Sequence, residues 1–513
     1  MKLFVLYSIA ALFLTALLPA KCTSGNEKSP SENGLSEEDR RKQFSQLRIY
    51  QVMVESFQDG DPERNYGVGY GPSNHRGDLK GITAALPYIK SLGMNAIWLT
   101  PVFDSGKGSG KDPRLEATGY FIHDYFKIDP NFGTLDDARE MVEAAHELGM
   151  YVFFDGVFGH HKGMVKPSPT GKLPKGEGKN AHYPESLDFY KEVAAYWIDE
   201  LEIDGWRLDQ AQQVPVQYWK EIRKTTEEKC RERKLAGKQW GILGYMVGEV
   251  WMAEWDIAKL AYGTADTVGL YSAFDFPMRY RLVQVMAVEE SGKGKQPAKL
   301  LAEGFQTHSQ YPEHAIPNLM LTNHDLVRFG DLLQRGGIAQ PSDDPYWKRH
   351  QAAFSFMTAY SGPITIYYGD EIGAEVPGFA AQVQDSCWIK DLCDDHVSRS
   401  TGKIRGLNER ETSLKAYLTS LMKLREAHPA LWKGTRRNII ANNSQYADLK
   451  TWQQEQILYV LNTSENPDTM SISLEDLPAK SLVNLLEPAE IRPDAGAFKI
   501  VVNGLSGQFY LVK

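Results

Sequence analysis

Eight short apolar runs, each separated from the next by a longer stretch, constrain this chain more than any other feature. The runs are Arg48–Val54, Asn95–Leu99, Tyr151–Phe154, Gly205–Leu208, Tyr245–Val247, Thr267–Tyr271, Asn318–Leu321 and Ile364–Tyr367. Between them, Ile82–Leu92, Leu135–Leu148, Leu187–Leu201, Val214–Lys229, Pro277–Glu289 and His350–Ala359 place apolar residues at helical spacing. Such alternation marks βα units on a parallel sheet. No glycine-rich phosphate loop follows the first run, which argues against an open doubly wound sheet. Eight strands instead suit a closed α/β barrel, the (β/α)8 TIM type. From about Asn438 the pattern changes to short alternating runs, among them Ile457–Leu461, Met470–Leu474 and Phe498–Val502. These read as an antiparallel β-sandwich. The expected division is a barrel over residues 44–430 and a C-terminal β domain over 431–513.

The first residues are of another kind. Met1-Lys2, the apolar stretch Leu3–Leu18 and Pro19-Ala20-Lys21-Cys22 have the form of a secretory signal peptide over residues 1–22, too short to span a membrane comfortably. Cys22 sits where a bacterial lipoprotein carries its lipid, but Lys21 takes a position where small residues are usual. Lipidation and simple cleavage near Ala20 or Cys22 both stay open. Residues 23–43 read as a disordered tether. Either fate implies export, to the periplasm, the medium or a lipid anchor at the outer surface of a bacterial membrane. In such an oxidising compartment Cys387 and Cys393 can close a small disulfide, whereas Cys230 reads as a buried free thiol. A net charge of -9 argues against a nucleic-acid binder and agrees with neutral substrates. A monomer is expected.

In a barrel of this type, catalytic groups collect at the C-terminal ends of the strands. Asp209 follows the fourth run, Glu249 the fifth and Asp325 the seventh. With 66 acidic residues, chance alone puts several carboxylates at loop starts, so the case rests on the three together. In Asp204-Gly-Trp-Arg-Leu-Asp209 the two-residue period of a strand sets Arg207 and Asp209 on one face, and a guanidinium there is expected to keep Asp209 ionised. Glu249, next to Val250 and Trp251, is expected to be desolvated and to titrate nearer neutrality, as a proton donor does. An ionised Asp beside a protonated Glu is what retaining glycoside hydrolysis uses, with the two carboxyl groups roughly 5–5.5 Å apart. His160, His324 and Arg328 add polar groups at the same mouth.

These segments together resemble the α-amylase family of retaining glycoside hydrolases. Asp155–His160 is similar to its first motif, Gly205–Asp209 to its second, Gly248–Trp251 to its third and Thr322–Asp325 to its fourth. Gly77–Ile82, the segment from Gly119-Tyr120 to Asp129-Pro130, and Ile366–Glu371 agree. The likeness runs in the family's order from about residue 46 to the end. It implies that Asp209 is the nucleophile, Glu249 the general acid/base and Asp325 the stabiliser of the transition state. Arg207, His160 and His324 would hold the sugar, with Tyr120 stacked on its face. The implied activity is cleavage of α-1,4 bonds in starch-like glucans. No cofactor is required for the chemistry. Transfer or isomerisation on the same covalent intermediate is the close alternative, and a catalytically silent sugar-binding protein is the remote one.

The chain also departs from the pattern. Gly159 stands where the first motif normally has an asparagine that helps bind a structural calcium. A different loop, Asp59-Gly60-Asp61 with Asn65, carries hard oxygen ligands and resembles a second calcium loop of some relatives. After the nucleophile the chain reads Gln210-Ala211-Gln212-Gln213, where many starch-cleaving members have Lys-His at the last two positions. The insertion His161–Pro184 is short for the family, and its lysines at 162, 166, 172, 175 and 179 are expected to be solvated.

Overall fold

A computed structural model describes residues 36–106, 113–379 and 393–513. The expected signal peptide, most of the tether and Cys387 of the expected disulfide lie outside the described residues. Eight parallel strands form one sheet: β1 Arg48–Val52, β2 Ala96–Leu99, β3 Tyr151–Gly156, β4 Gly205–Leu208, β5 Tyr245–Gly248, β6 Ser272–Ala273, β7 Leu319–Met320 and β8 Ile364–Tyr367. The hydrogen-bonded order runs β6-β5-β4-β3-β2-β1-β8-β7, and a parallel bridge between Phe274 and Asn318 joins the two edges into a barrel. Ile49, Ala96, Trp98, Phe153, Tyr245, Val247, Phe274 and Met320 fill the interior, so the barrel is packed and not a pore.

The helices wrap this sheet as their apolar stripes require. In the helix Leu187–Leu201, Phe189, Tyr190, Val193, Ala194, Trp197, Ile198 and Leu201 are buried at three- and four-residue spacing. Truncating a residue such as Trp197 to alanine would cost about 3–5 kcal/mol. The sixth strand is the exception to the expected positions. Pairing begins at Ser272, not within Thr267–Tyr271, because the carbonyls of Val268 and Gly269 accept hydrogen bonds from the Arg223 guanidinium at 3.1 and 2.7 Å.

The end of the expected tether is also structured. Residues Glu37–Ser45 form a helix capped by Ser36, whose hydroxyl accepts the Asp39 N–H at 3.0 Å. Phe44 at its end packs edge-on against Tyr245, with ring centroids 5.0 Å apart, and Arg40 lies over the Tyr271 ring. Those contacts offset the polarity that made the segment read as solvated.

Beyond the last barrel helix, Glu409–Ala427, the C-terminal part has a six-stranded antiparallel sheet that begins at Thr435 and ends with Ser506–Val512. A two-stranded ribbon, Asp468–Ser473 with Ala497–Val502, forms the second layer. Leu449, Leu458, Val460, Met470, Ile472, Phe498 and Ile500 are buried between them, the alternation expected of a sandwich.

Candidate active site

Strand β4 delivers Arg207 into the barrel with no exposed surface. Its Nη1 donates to both Asp155 oxygens at 2.8 Å and to Asp209 Oδ1 at 3.0 Å, while Nη2 lies 2.7 Å from Glu249 Oε1. One guanidinium therefore carries three carboxylates, and the expected nucleophile and acid sit on its two terminal nitrogens. Asp209 Oδ2 is buried with no hydrogen-bond partner, 3.9 Å from His160 Nε2. Glu249 Oε2 accepts the Gln210 N–H at 3.2 Å.

Charge in this cluster differs from the sequence expectation. Burial raises Asp209 to about 7, with the charges of Asp155 and Asp325 adding to the rise and Arg207 opposing it. Burial likewise raises Glu249 to about 7 against Arg207. One guanidinium shared among three carboxylates does not keep Asp209 ionised as an isolated pair would. Buried on one guanidinium, Asp209 and Glu249 are both raised toward neutrality. The desolvation of Glu249 comes from the barrel interior. Trp251 stacks on Phe276 at 5.3 Å and donates to the Tyr280 hydroxyl, leaving the indole 41% exposed beside a surface cavity of about 660 Å³.

Across the mouth, Arg399 binds Asp325 Oδ1 at 2.6 Å and donates to the His324 carbonyl at 3.0 Å. Burial would raise Asp325, but the charges of Arg399 and Arg207 and the Arg399 hydrogen bond outweigh it and hold the carboxyl below its ordinary range. His324 is neutral, pushed down to about 3 by burial. Gln51 Nε2 lies 2.7 Å from its Nδ1, which leaves the hydrogen on Nε2, facing the Tyr120 hydroxyl at 2.7 Å and Asp325 Oδ2 at 3.2 Å. Tyr120 also donates to Asp155 at 2.9 Å, and its ring is parallel to His324. A cavity of about 180 Å³ lies between Tyr120, His160, Asp209, Asp325 and Arg399, with Tyr70 stacked on His396 at its edge. The structure thus brings together Asp209, Glu249, Asp325, Tyr120, His160, Arg207 and His324.

Arg328 does not join them. It is buried, donates to the carbonyls of Tyr368 and Ser398 at 2.9 Å each, and lies over the Tyr367 and Tyr368 rings. It fixes the loop after β8, where the sequence had placed it on the sugar. Lys162 is also not solvated: its ammonium meets Glu116 at 2.6 Å and the Gly106 carbonyl at 2.9 Å, tying the insertion to the loop after β2. Sequence reasoning missed Arg399 and Gln51 as partners of the fourth motif, and no local signal marks either.

Neither calcium position fits the ion. In the loop after β1, Asp61 faces Lys80 at 2.8 Å and Arg64 at 3.6 Å, and Asn65 donates to the Pro62 carbonyl, while Asp59 is exposed. Among the described residues, no three acidic, histidine or cysteine side chains converge as a metal group. At the first motif, a Cβ on residue 159 would lie 2.2 Å from Gln213 Oε1. The space is filled, and it offers no side-chain oxygen from position 159.

The family model of the alpha-amylase catalytic domain matches residues 51–167 and 180–405. Crystal structures of a Glu-to-Gln variant of AmyP in complex with maltotriose and of AmyP in complex with maltose superpose with TM-scores of 0.91 and 0.90; each is 50% identical and covers 93% of this chain and 99% of that one. Neopullulanase 2 of Thermoactinomyces vulgaris is 25% identical over 509 residues, covering 90% of this chain and 76% of the relative. A cyclomaltodextrinase of a Bacillus species is 27% identical over 471 residues, covering 82% and 73%. This chain belongs to the α-amylase family and is a glycoside hydrolase of the α-amylase type.

Proposed function

We propose that this α-amylase-family enzyme hydrolyses α-1,4-glucosidic bonds of maltooligosaccharides and starch-like glucans with retention of configuration. The observation that carries the reading is the unpartnered, buried Oδ2 of Asp209 on the same guanidinium as Glu249. The maltose and maltotriose bound by AmyP support the choice of ligand.

In the first step Asp209 Oδ2 forms a bond to the anomeric carbon while Glu249 gives its proton to the departing glycosidic oxygen. In the second, Glu249 takes a proton from water, whose oxygen displaces Asp209. The first step runs with Asp209 ionised and Glu249 protonated, one proton between two carboxyls that are both raised toward neutrality. Asp325, held by Arg399, accepts from sugar hydroxyls as positive charge develops at the ring. His324, Tyr120 and His160 orient that sugar. The apolar leader Leu3–Leu18 supports action outside the cytoplasm.

The test is hydrolysis of maltotriose and maltoheptaose by the parent and Asp209→Ala, followed by reducing ends and by proton NMR of the first-formed anomer. The expected result is α-anomer from the parent and loss of at least about three orders of magnitude in the variant. A β-anomer, or a variant as active as the parent, refutes the mechanism. Products longer than the substrate would favour transfer over hydrolysis.

A further inference from the structure

The corner of the first motif is built around a side-chain amide. Gln210 adopts the left-handed conformation at φ 39° just past the nucleophile, and the chain turns through Ala211–Gln213 back toward the insertion. The turn is pinned by the Ala211 N–H on the Glu249 carbonyl at 2.7 Å and by the Gln213 N–H on the Gln210 carbonyl at 2.8 Å. It sets the Gln213 side chain directly over Gly159, so close that a Cβ there would meet Gln213 Cβ at 2.4 Å as well as Oε1 at 2.2 Å. Only glycine admits this contact.

From that seat Gln213 reaches the sugar-binding histidine. Its Oε1 accepts from His160 Nδ1 at 2.9 Å, and its Nε2 donates to Gln210 Oε1 at 2.9 Å. On the other side of the ring, Nε2 lies 3.1 Å from the Tyr120 carbonyl and 3.9 Å from Asp209 Oδ2. The backbone of the same corner is held by the Tyr125 hydroxyl on the His160 carbonyl at 2.9 Å and by the Ala181 N–H on the Gly159 carbonyl at 2.9 Å. Protein groups alone, the Gln213 amide on Nδ1 and the Tyr120 carbonyl on Nε2, bracket the ring.

We propose that the Gln213 amide, seated on Gly159 where the family's first motif normally has an asparagine, is the positioning residue for His160 and does so without an ion. Gly159 and Gln213 are then two halves of one change: losing the asparagine side chain makes the room, and the amide two residues short of the helix Val216–Leu235 fills it. Gln213 at Nδ1 and the Tyr120 carbonyl at Nε2 together fix the plane of the ring at the edge of the cavity. The proposal rests on His160 contacting the sugar, as the hydrolytic reading has it.

Two near-isosteric variants separate orientation from space-filling. Gln213→Glu keeps an acceptor oxygen opposite Nδ1, and Gln213→Met keeps the volume without one. Turnover of maltoheptaose is measured for both, with Asp209→Ala as control and melting temperature recorded in calcium and in EDTA. Gln213→Met is expected to lower kcat about tenfold at little cost in melting temperature, and Gln213→Glu to stay within about threefold of the parent. The parent is expected to keep its kcat and melting temperature in EDTA. A fully active Gln213→Met, a Gln213→Glu as impaired as Gln213→Met, or a kcat lost in EDTA and restored by calcium overturns the proposal. Failure of the hydrolytic reading shows separately, as an active Asp209→Ala.

Discussion

Replacing Asp155 by Asn tests how charge is distributed in the site. Asp155 and Asp209 accept from the same Arg207 nitrogen, at 2.8 and 3.0 Å. Their carboxylates therefore lie on the order of 5 Å apart, and at an effective dielectric of about 20 their repulsion is about 3 kcal/mol. That corresponds to about two pH units. Burial is the larger cause of the raised Asp209, so the variant should not return it to an ordinary aspartate. Removing the neighbouring negative charge does ease ionisation of both Asp209 and Glu249, and both should titrate at lower pH. In the profile of kcat/KM against pH, the acid limb reports ionisation of the nucleophile and the alkaline limb loss of the acid's proton. Both limbs are expected to move down by at least about one unit in Asp155→Asn. The height of the profile should fall about ten- to hundredfold, because the charge-assisted bonds that aim Arg207 are weakened. The assay is initial-rate hydrolysis of maltotriose between pH 4 and 9, with circular dichroism at each end. An acid limb that stays in place, or moves to higher pH, would refute the shared-guanidinium account even if activity dropped.

Further perturbations probe the supports. Arg399→Leu leaves Asp325 without its 2.6 Å partner and should raise that carboxyl, lowering kcat/KM on maltotriose about hundredfold with native circular dichroism; unchanged kinetics would remove Arg399 from the site. Arg425→Met strips the donor from the buried carbonyls of Thr358 and Tyr360, 2.7 and 2.8 Å away, and should cost about 3 kcal/mol or more, read as a lower melting temperature with activity at 25 °C retained. Asp370 is raised by burial to about 7, above its unfolded value, so its contribution to stability is full at low pH and is lost as pH rises through 7. Asp370→Asn should therefore lose about 2–3 kcal/mol less than the parent between pH 5 and pH 8, measured by denaturant titration at both.

The barrel was legible because each strand is a buried apolar run that helical spacing cannot mimic, and because loops at its ends are rich in turn residues. Where the reading slipped, a side chain from another element decided the matter. Arg223, remote in sequence, claims the carbonyls of Val268 and Gly269 and delays the sixth strand. Phe44 finds a seat against Tyr245 and draws the charged segment before it into a helix. The carboxylates of the site were legible through their positions at strand ends. Their protonation was not, since it depends on how many acids one arginine serves. Arg399 and Gln51 carry no pattern because they reach the fourth motif from a loop and a strand remote from it in sequence. Arg328 was misplaced for the opposite reason: proximity in sequence to Asp325 says nothing about which way a residue in a loop turns.

The pairing of Arg207 with Asp155 follows from register once the barrel is granted. In the parallel pair β3–β4, Asp155 stands opposite Arg207, and in β4–β5 Val247 stands opposite the same residue. Neighbouring residues in register point to the same face, so the acid and the guanidinium must meet inside the barrel, with apolar Val247 closing the other flank. Arg207 then has one direction left, along the barrel axis toward the strand ends, where Asp209 and Glu249 emerge. The geometry of the catalytic pair is thus set by strands and only trimmed by loops. It follows that loop changes such as Gly159 with Gln213 can alter how the sugar is gripped while leaving the distance between nucleophile and acid untouched. A variant of the insertion or of the turn after β4 should change KM and product pattern before it changes the pH profile, whereas any change at Asp155 or Arg207 should do the reverse.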